Sequence, residues 1–411
     1  KGGLMKETTR SIPINHLMVR AAWKQVRQNG GGAGIDEESL KDFAQDLENN
    51  LYKIWNRLSS GSYFPLSVRE VGIPKADGGV RYLGIPTVSD RVAQMVIKTS
   101  LELRVDSMFS ENSFGYRPGK SAHMALSKAV ENCRKFDWVI DLDIKGFFDN
   151  IPHTLLLKAL ERHTNKWEMM YIQRWLEAPI QKEDGTMELK SGTGTPQGGV
   201  ISPLLANLFL HYAFDEWMRL THCQSPFERY ADDIIIHCAS YEQAEDKLNQ
   251  IKERLLACGL EVHPEKTKIV YCKDYRRKGS HDKTQFKFLG FDFMPRSGKS
   301  MRDGKMYLMF KPAISKGSRE RILLEMRKTN LQRKSVDSIE EIAGKLNPKL
   351  RGWLNYYGKF GKYVLDRVLR KVDNRLGSYI MNKYKLSSVK KSFEMLHNIQ
   401  KVNPNLFAHW K

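Results

Sequence analysis

Residues Phe227 to Ile236 set an acidic pair, Asp232-Asp233, between two runs of apolar and β-branched residues. The runs predict two short strands with Ala231-Asp232-Asp233 at the reversal, so that carboxylates stand at the tip of a hairpin. Adjacent carboxylates repel, and in apolar company one of them must take a proton unless a cation lies beside it. A divalent metal is the cation that fits, and it calls for ligands from elsewhere in the chain.

A second acidic strand lies 89 residues earlier, counted from Asp143 to Asp232. Across Phe136 to Asp149, the carboxylates Asp141 and Asp143 are two apart and share a strand face, and Gly146-Phe147-Phe148 predicts a turn into a helix near Ile151. One buried aspartate in a strand is usually a structural hydrogen-bonder; two acidic strands point to a metal site. Between them, Ser191 to Pro203 is a glycine-rich loop with Gln197 at the entrance to an apolar helix that runs to about Trp217. Upstream, Val68 to Ile73 and Val80 to Ile85 alternate as a hairpin whose bend carries Lys75, with Arg81 beside it; by itself this reads as a solvated surface turn. Gly119-Lys120-Ser121 imitates a phosphate loop, but Gly115 and Gly119 have three residues between them where that motif needs four, so a Walker site is rejected.

With 411 residues the chain should form two or three lobes, and its +20 net charge points to a polyanionic partner. From Met301 onward there are 25 Lys and Arg against 9 Asp and Glu, which places +16 of the +20 in the last quarter. Five cysteines, none in a Cys-x-x-Cys pair, argue for reduced thiols in a cytoplasm and against a zinc ribbon. No membrane span is expected, because the longest apolar stretch, Pro203 to Phe214, is short and interrupted by Asn207 and His211. The chain starts at Lys1, so further residues can precede it in the native protein. Helical spacing covers Leu17 to Arg27 and Asp36 to Leu58, parted by the glycines around Gly30 to Gly34. It recurs over Val88 to Arg104, from Ser121 to Val130 and over Tyr241 to Cys258, whereas Phe286 to Phe293 alternates as one strand. Arg296 to Gly304 is linker-like, and helices follow at Ser315 to Leu331, Ser338 to Phe360 with a break at Pro348, and Tyr363 to Tyr384. Trp353, Tyr356 and Tyr357, spaced i, i+3 and i+4, read as core packing.

Taken in order, Ile73-Pro74-Lys75 with Arg81, Phe114-Gly115-Tyr116-Arg117-Pro118, Asp143 with Phe147-Phe148-Asp149, Thr195-Pro196-Gln197-Gly198-Gly199, Tyr230-Ala231-Asp232-Asp233 and Phe288-Leu289-Gly290-Phe291 resemble the motif series of bacterial group II intron reverse transcriptases, or maturases. Gly32-Ala33-Gly34-Ile35-Asp36 and Arg351-Gly352-Trp353-Leu354-Asn355-Tyr356-Tyr357 extend the resemblance over nearly the whole chain. It implies an α+β right-hand polymerase: an N-terminal extension and fingers over 1–132, a palm with part of the fingers over 133–300, and a basic helical thumb, the maturase domain, over 301–411. The implied activity is RNA-directed DNA polymerisation with two magnesium ions roughly 4 Å apart. Asp143, Asp232 and the Ile144 carbonyl are the expected metal ligands, Asp233 a further catalytic residue with a less direct role, and Asp141 and Asp149 structural.

By the same resemblance, Lys75 and Arg81 would hold the dNTP triphosphate, Pro196, Gln197 and Gly198 would lie along the nucleotide, and Phe147 would gate the 2′ hydroxyl. Lys266 could give a proton to the leaving group, although a surface lysine is the commoner reading. Expected partners are group II intron RNA, an RNA template with DNA primer, dNTPs and target DNA, with no membrane and homodimerisation left open. The setting implied is a bacterial cytoplasmic, nucleoid-associated ribonucleoprotein. Two other functions compete: a relative in host use for defence or DNA repair, and a splicing-only RNA-binding cofactor. The sequence stops after Leu406 to Lys411 without the His-Asn-His nuclease that many members carry, so target cleavage by this polypeptide is not expected.

Overall fold

A computed structural model of the chain describes residues 12–410 apart from 75–78, 190–191, 300–302 and 332–335. The fold is α+β. Its described residues divide into two compact units, the first drawn from 1–125, 142–236 and 245–267, the second from 126–141, 237–244 and 268–411.

In the first unit, helices His16–Asn29 and Leu47–Ser60 lay Val19, Trp23 and Val26, and Leu51, Ile54 and Leu58, against Val88–Val105, a helix buried along most of its length. The single helix expected from Asp36 to Leu58 is two. Ser39 and Asp42 form a capping box that starts Leu40–Gln45, and the chain breaks at Asp46 (φ −118°, ψ 48°) before restarting. That Ser-x-x-Asp start signal lies inside the apolar periodicity, which masks it. The basic hairpin forms from Val68–Pro74 and Val80–Ile85, with Ile73 opposite Arg81, and widens into a four-stranded sheet through Ile180–Gln181 and Met187–Glu188. The apolar helix after the glycine-rich loop begins at Ser202, widens into a π turn over His211–Asp215 and resumes as Glu216–Thr221. Within this turn Arg254 donates to the Tyr212 and Ala213 carbonyls at 3.0 Å each. The acidic hairpin pairs Phe227–Tyr230 with Asp233–Cys238, Tyr230 opposite Asp233, so that Ala231 and Asp232 are the two turn residues.

In the second unit, the first four residues of the strand Trp138–Asp143 pair with Lys268–Tyr271, Asp141 opposite Lys268, and their charged ends lie 3.6 Å apart, as suits a structural Asp141. Phe286 to Phe293 is a hairpin, not one strand. Leu289 (φ 49°) and Gly290 (φ 79°) turn it in two residues, bringing Phe288 opposite Phe291 and stacking Phe286 on Phe293 at 4.7 Å. The strand Phe291–Lys299 runs through the first part of the expected linker and pairs over its whole length with Met306–Ile314. Helices Lys316–Lys328, Ile339–Tyr357, Lys362–Lys383 and the unanticipated Val389–Val402 bury Ile322, Leu350, Leu365, Val372, Leu376 and Ile380 together. Pro348 does not break its helix. Asn347 anchors the chain beside it by donating to the Leu406 carbonyl and accepting from Ala408 N–H, both at 2.9 Å. Trp353 and Tyr357 pack on this core, and Tyr356 donates to the Leu289 carbonyl at 2.9 Å, which makes the trio packing groups. The five cysteines form no disulfide among the described residues, and among those residues no helix is long and apolar enough to cross a membrane.

Candidate active site

Asp143 ends its strand where two further segments fix it. His263 N–H donates to the Asp143 carbonyl (2.8 Å), and Asp143 N–H donates to Thr267 Oγ1 (3.2 Å). Ile144 bridges to Val262, but the bridge is closed by the Asp143 carbonyl and by Lys145 N–H on the Glu261 carbonyl (2.8 Å), so the carbonyl of Ile144 is not used in it. Asp232 follows Ala231, whose φ of +56° is left-handed and costs a β-carbon-bearing residue about 1 kcal/mol. Burial raises the pKa of the Asp232 carboxyl above its ordinary value; Asp143 pushes it the same way, and the guanidiniums of Arg81 and Arg229 oppose. Asp143, distant in sequence, is thus close enough to act on the Asp232 carboxyl. The ammonium of Lys266 is drawn to 3.9 Å from Asp143 Oδ2. Asp143, Asp232 and the Ile144 carbonyl are oxygen donors of the kind a hard divalent cation takes. Asp233 opens the second hairpin strand opposite Tyr230. Among the described residues no three His, Cys, Asp or Glu side chains are grouped to hold a metal, so Asp233 does not complete a three-carboxylate cage.

The remaining expected residues lie on segments tied to these. Thr195 N–H donates to the Phe148 carbonyl (2.7 Å) and Gly194 N–H to that of Ile151 (2.8 Å), which fastens the glycine-rich loop to the chain just past Asp143. Its other side is fastened to the Arg81 strand, where Gly84 N–H donates to the Gln197 carbonyl at 3.1 Å. Gly198 has φ +140°, and a Cβ there would come 2.4 Å from the Gly84 carbonyl oxygen, so no other residue fits. Pro196 and Gln197 are half-buried and Arg81 is exposed. Phe147 opens the helix Phe147–Asn150, is 2% exposed and meets Phe148 edge-on at 5.2 Å. Lys75 lies outside the described residues. Lys120 pairs with Glu111 at 2.9 Å, consistent with the rejected phosphate loop.

Sequence reasoning passed over what lies beneath the hairpin. Gly115 packs so closely that a Cβ would sit 2.5 Å from Ala231 N, and Arg229 and Asp215 form a fully buried ion pair. The signals were a charge inside an apolar strand and, in Asn207, a polar break in an apolar helix.

Residues 73–293, more than half of the chain, match the family described as Reverse transcriptase (RNA-dependent DNA polymerase). The chain belongs to the reverse transcriptase family. Beyond that match, residues 319–395 fit the group II intron maturase-specific domain. The group II intron-encoded protein LtrA of Lactococcus lactis subsp. cremoris is 31% identical over 57% of this reverse transcriptase-family chain and 38% of its own length. Protein YkfC of Escherichia coli is 34% identical over 45% and 49% respectively, and an uncharacterized 91 kDa protein in the cob intron of Schizosaccharomyces pombe is 27% identical over 88% and 53%. The chain thus spans about half or less of the length of these curated relatives.

Proposed function

We propose that the chain is an RNA-directed DNA polymerase encoded by a group II intron, which binds the intron RNA to assist its splicing and copies it into cDNA from a primer in target DNA, within a cytoplasmic ribonucleoprotein. The observation that carries this reading is that Asp143 and Arg81 both act on the buried Asp232 carboxyl, in a chain of the reverse transcriptase family. Asp143, Asp232 and the Ile144 carbonyl hold the metal, and Asp233 supports the turn beside it. Two magnesium ions bound there would neutralise the attacking and leaving oxygens of an in-line phosphoryl transfer. Arg81, with Lys75, grips the triphosphate through its forked guanidinium. Pro196, Gln197 and Gly198 line the nucleotide, and Phe147 lies under its sugar. The maturase-specific match at 319–395 falls in the strongly basic last quarter and supports intron RNA as the polyanion bound.

The test is primer extension on an RNA template with magnesium and dNTPs, run alongside sequencing of the RNA that co-purifies. Asp232→Asn should lower extension by more than about a hundredfold while RNA binding persists. Appreciable residual extension would remove Asp232 from the metal role. A wild-type protein that binds one intron without extending would be a splicing-only cofactor. Extension without any intron RNA bound would favour a host role in defence or repair.

A further inference from the structure

The acidic turn rests on a buried charge network that none of the metal or nucleotide roles uses. Arg229, 0% exposed, lies two residues before the turn. Its Nε and Nη2 donate to the two carboxylate oxygens of Asp215 at 2.8 and 2.6 Å, and Asp215 is equally buried. The third nitrogen, Nη1, reaches two acceptors, Asn207 Oδ1 at 2.9 Å and the carbonyl of Ala231 at 3.3 Å. Asn207 in turn donates through Nδ2 to the Gly115 carbonyl at 2.8 Å, and Gly115 is the residue pressed against the Ala231 peptide. The backbone of Arg229 is held as well: its N–H donates to the Asn112 carbonyl at 2.9 Å, and its carbonyl accepts from Phe114 N–H at 2.8 Å. One guanidinium therefore grips the peptide that leads into Asp232 and, through Asn207, the segment packed on it.

The π turn over His211–Asp215 makes this possible. Asn207 and Asp215 are eight residues apart, and in an unbroken α-helix the later one would stand about 80° round from the earlier. A π turn advances each residue by less, so Asp215 swings back towards the face of Asn207 and both can meet one guanidinium. Ala231 needs such a grip, because its left-handed backbone has no glycine to hold it without strain.

From this geometry we infer that Arg229, Asp215 and Asn207 are positioning residues for polymerisation: they lock the Ala231 peptide so that the Asp232 carboxylate stands at a fixed offset from Asp143. The inference rests on the polymerase reading above. A bidentate, fully desolvated pair sets angle as well as distance, which a lysine in place of Arg229 cannot do.

The experiment measures single-nucleotide extension by the full chain at varied dNTP and varied magnesium for wild type, Arg229→Lys, Asp215→Asn, Asn207→Ala and the apolar pair Arg229→Met/Asp215→Leu, each with a thermal melt. The wild type must extend; if it does not, the polymerase reading fails and this inference with it. Given active wild type, the single variants are expected to lose about tenfold or more in kcat with KM for dNTP within about twofold, and to need severalfold more magnesium for half-maximal rate. The apolar pair removes the burial penalty of a broken ion pair, so it is expected to melt close to wild type and still be slow and magnesium-hungry. Asn207→Ala, which leaves the ion pair intact, is the arm that remains informative if the other variants do not fold. Folded variants with wild-type kcat and magnesium dependence would overturn the inference, as would an apolar pair whose rate recovers along with its melting temperature.

Discussion

Asp90 gives this fold its clearest pH signature. Its carboxylate is 2% exposed and accepts from Tyr63 Oη and Thr87 Oγ1, both at 2.8 Å, and from Leu66 N–H at 3.2 Å. Burial outweighs those three donors and lifts its pKa from 3.8 to about 6. The folded chain therefore binds this proton more tightly than the unfolded chain. The group's favourable contribution is complete below 3.8 and is lost as pH rises through about 6, a change of about 3 kcal/mol across the window. Denaturant unfolding of wild type and Asp90→Asn should show the wild type losing about 2 kcal/mol relative to the variant between roughly pH 4.5 and 7.5; parallel curves would mean that the donors hold Asp90 ionised in both states. Phe147 is the other residue whose surroundings decide how it is tested. At 2% exposure, truncation to Ala would cost about 3–5 kcal/mol of packing and blur any effect on the sugar. Phe147→Val keeps part of that packing and should still lower the preference for dNTPs over ribonucleotides by about tenfold in competitive extension. Unchanged sugar discrimination would leave Phe147 as core alone.

Among elements, strands and helices with clean periodicity stood where their patterns put them: Val88–Val105, Lys362–Lys383, the basic hairpin and the acidic hairpin. The misreadings came from punctuation that periodicity does not encode. Phe286, Phe288, Phe291 and Phe293 satisfy a period of two only if the count restarts at Leu289-Gly290, and that restart is the turn. Pro348 carries an intrinsic penalty of several kcal/mol, yet its helix persists, because Asn347 and the core beneath Ile342, Leu346 and Leu350 outweigh a local preference. In the long apolar helix, Asn207 and His211 were visible as interruptions, but the π turn that starts at His211 offers carbonyls to Arg254, more than forty residues further along the chain.

At the scale of the whole molecule, charge is distributed in a way that bears directly on binding. Lys316, Arg367 and Lys371 are exposed and line one groove between the helices Lys316–Lys328 and Lys362–Lys383. If the groove faces a nucleic-acid backbone, RNA affinity falls linearly with salt on a logarithmic plot, and changing these three residues to Gln lowers the slope by about one for each phosphate left without its cation. Filter binding over a salt series measures this directly. A slope unaltered by the triple change would mean that other cations hold the RNA.

Alternation and charge, which are properties of neighbours in the chain, were enough to mark two acidic strands and a basic final quarter; the order of the motifs, through their resemblance to reverse transcriptases, pointed to the family and marked Asp143, Asp232, Arg81 and the Thr195 to Gly199 loop as candidates. Tertiary structure alone decided that Asp143 comes within electrostatic reach of Asp232, that Gly198 must lie against the Gly84 carbonyl, and that a buried Arg229 reaches Asp215, Asn207 and the Ala231 carbonyl together. Most of these pairings join residues more than ten positions apart, and their existence depends on strand register and helix rotation. A one-residue slip in a strand, or one π turn fewer in a helix, would leave the composition unchanged and carry the partners out of reach of one another.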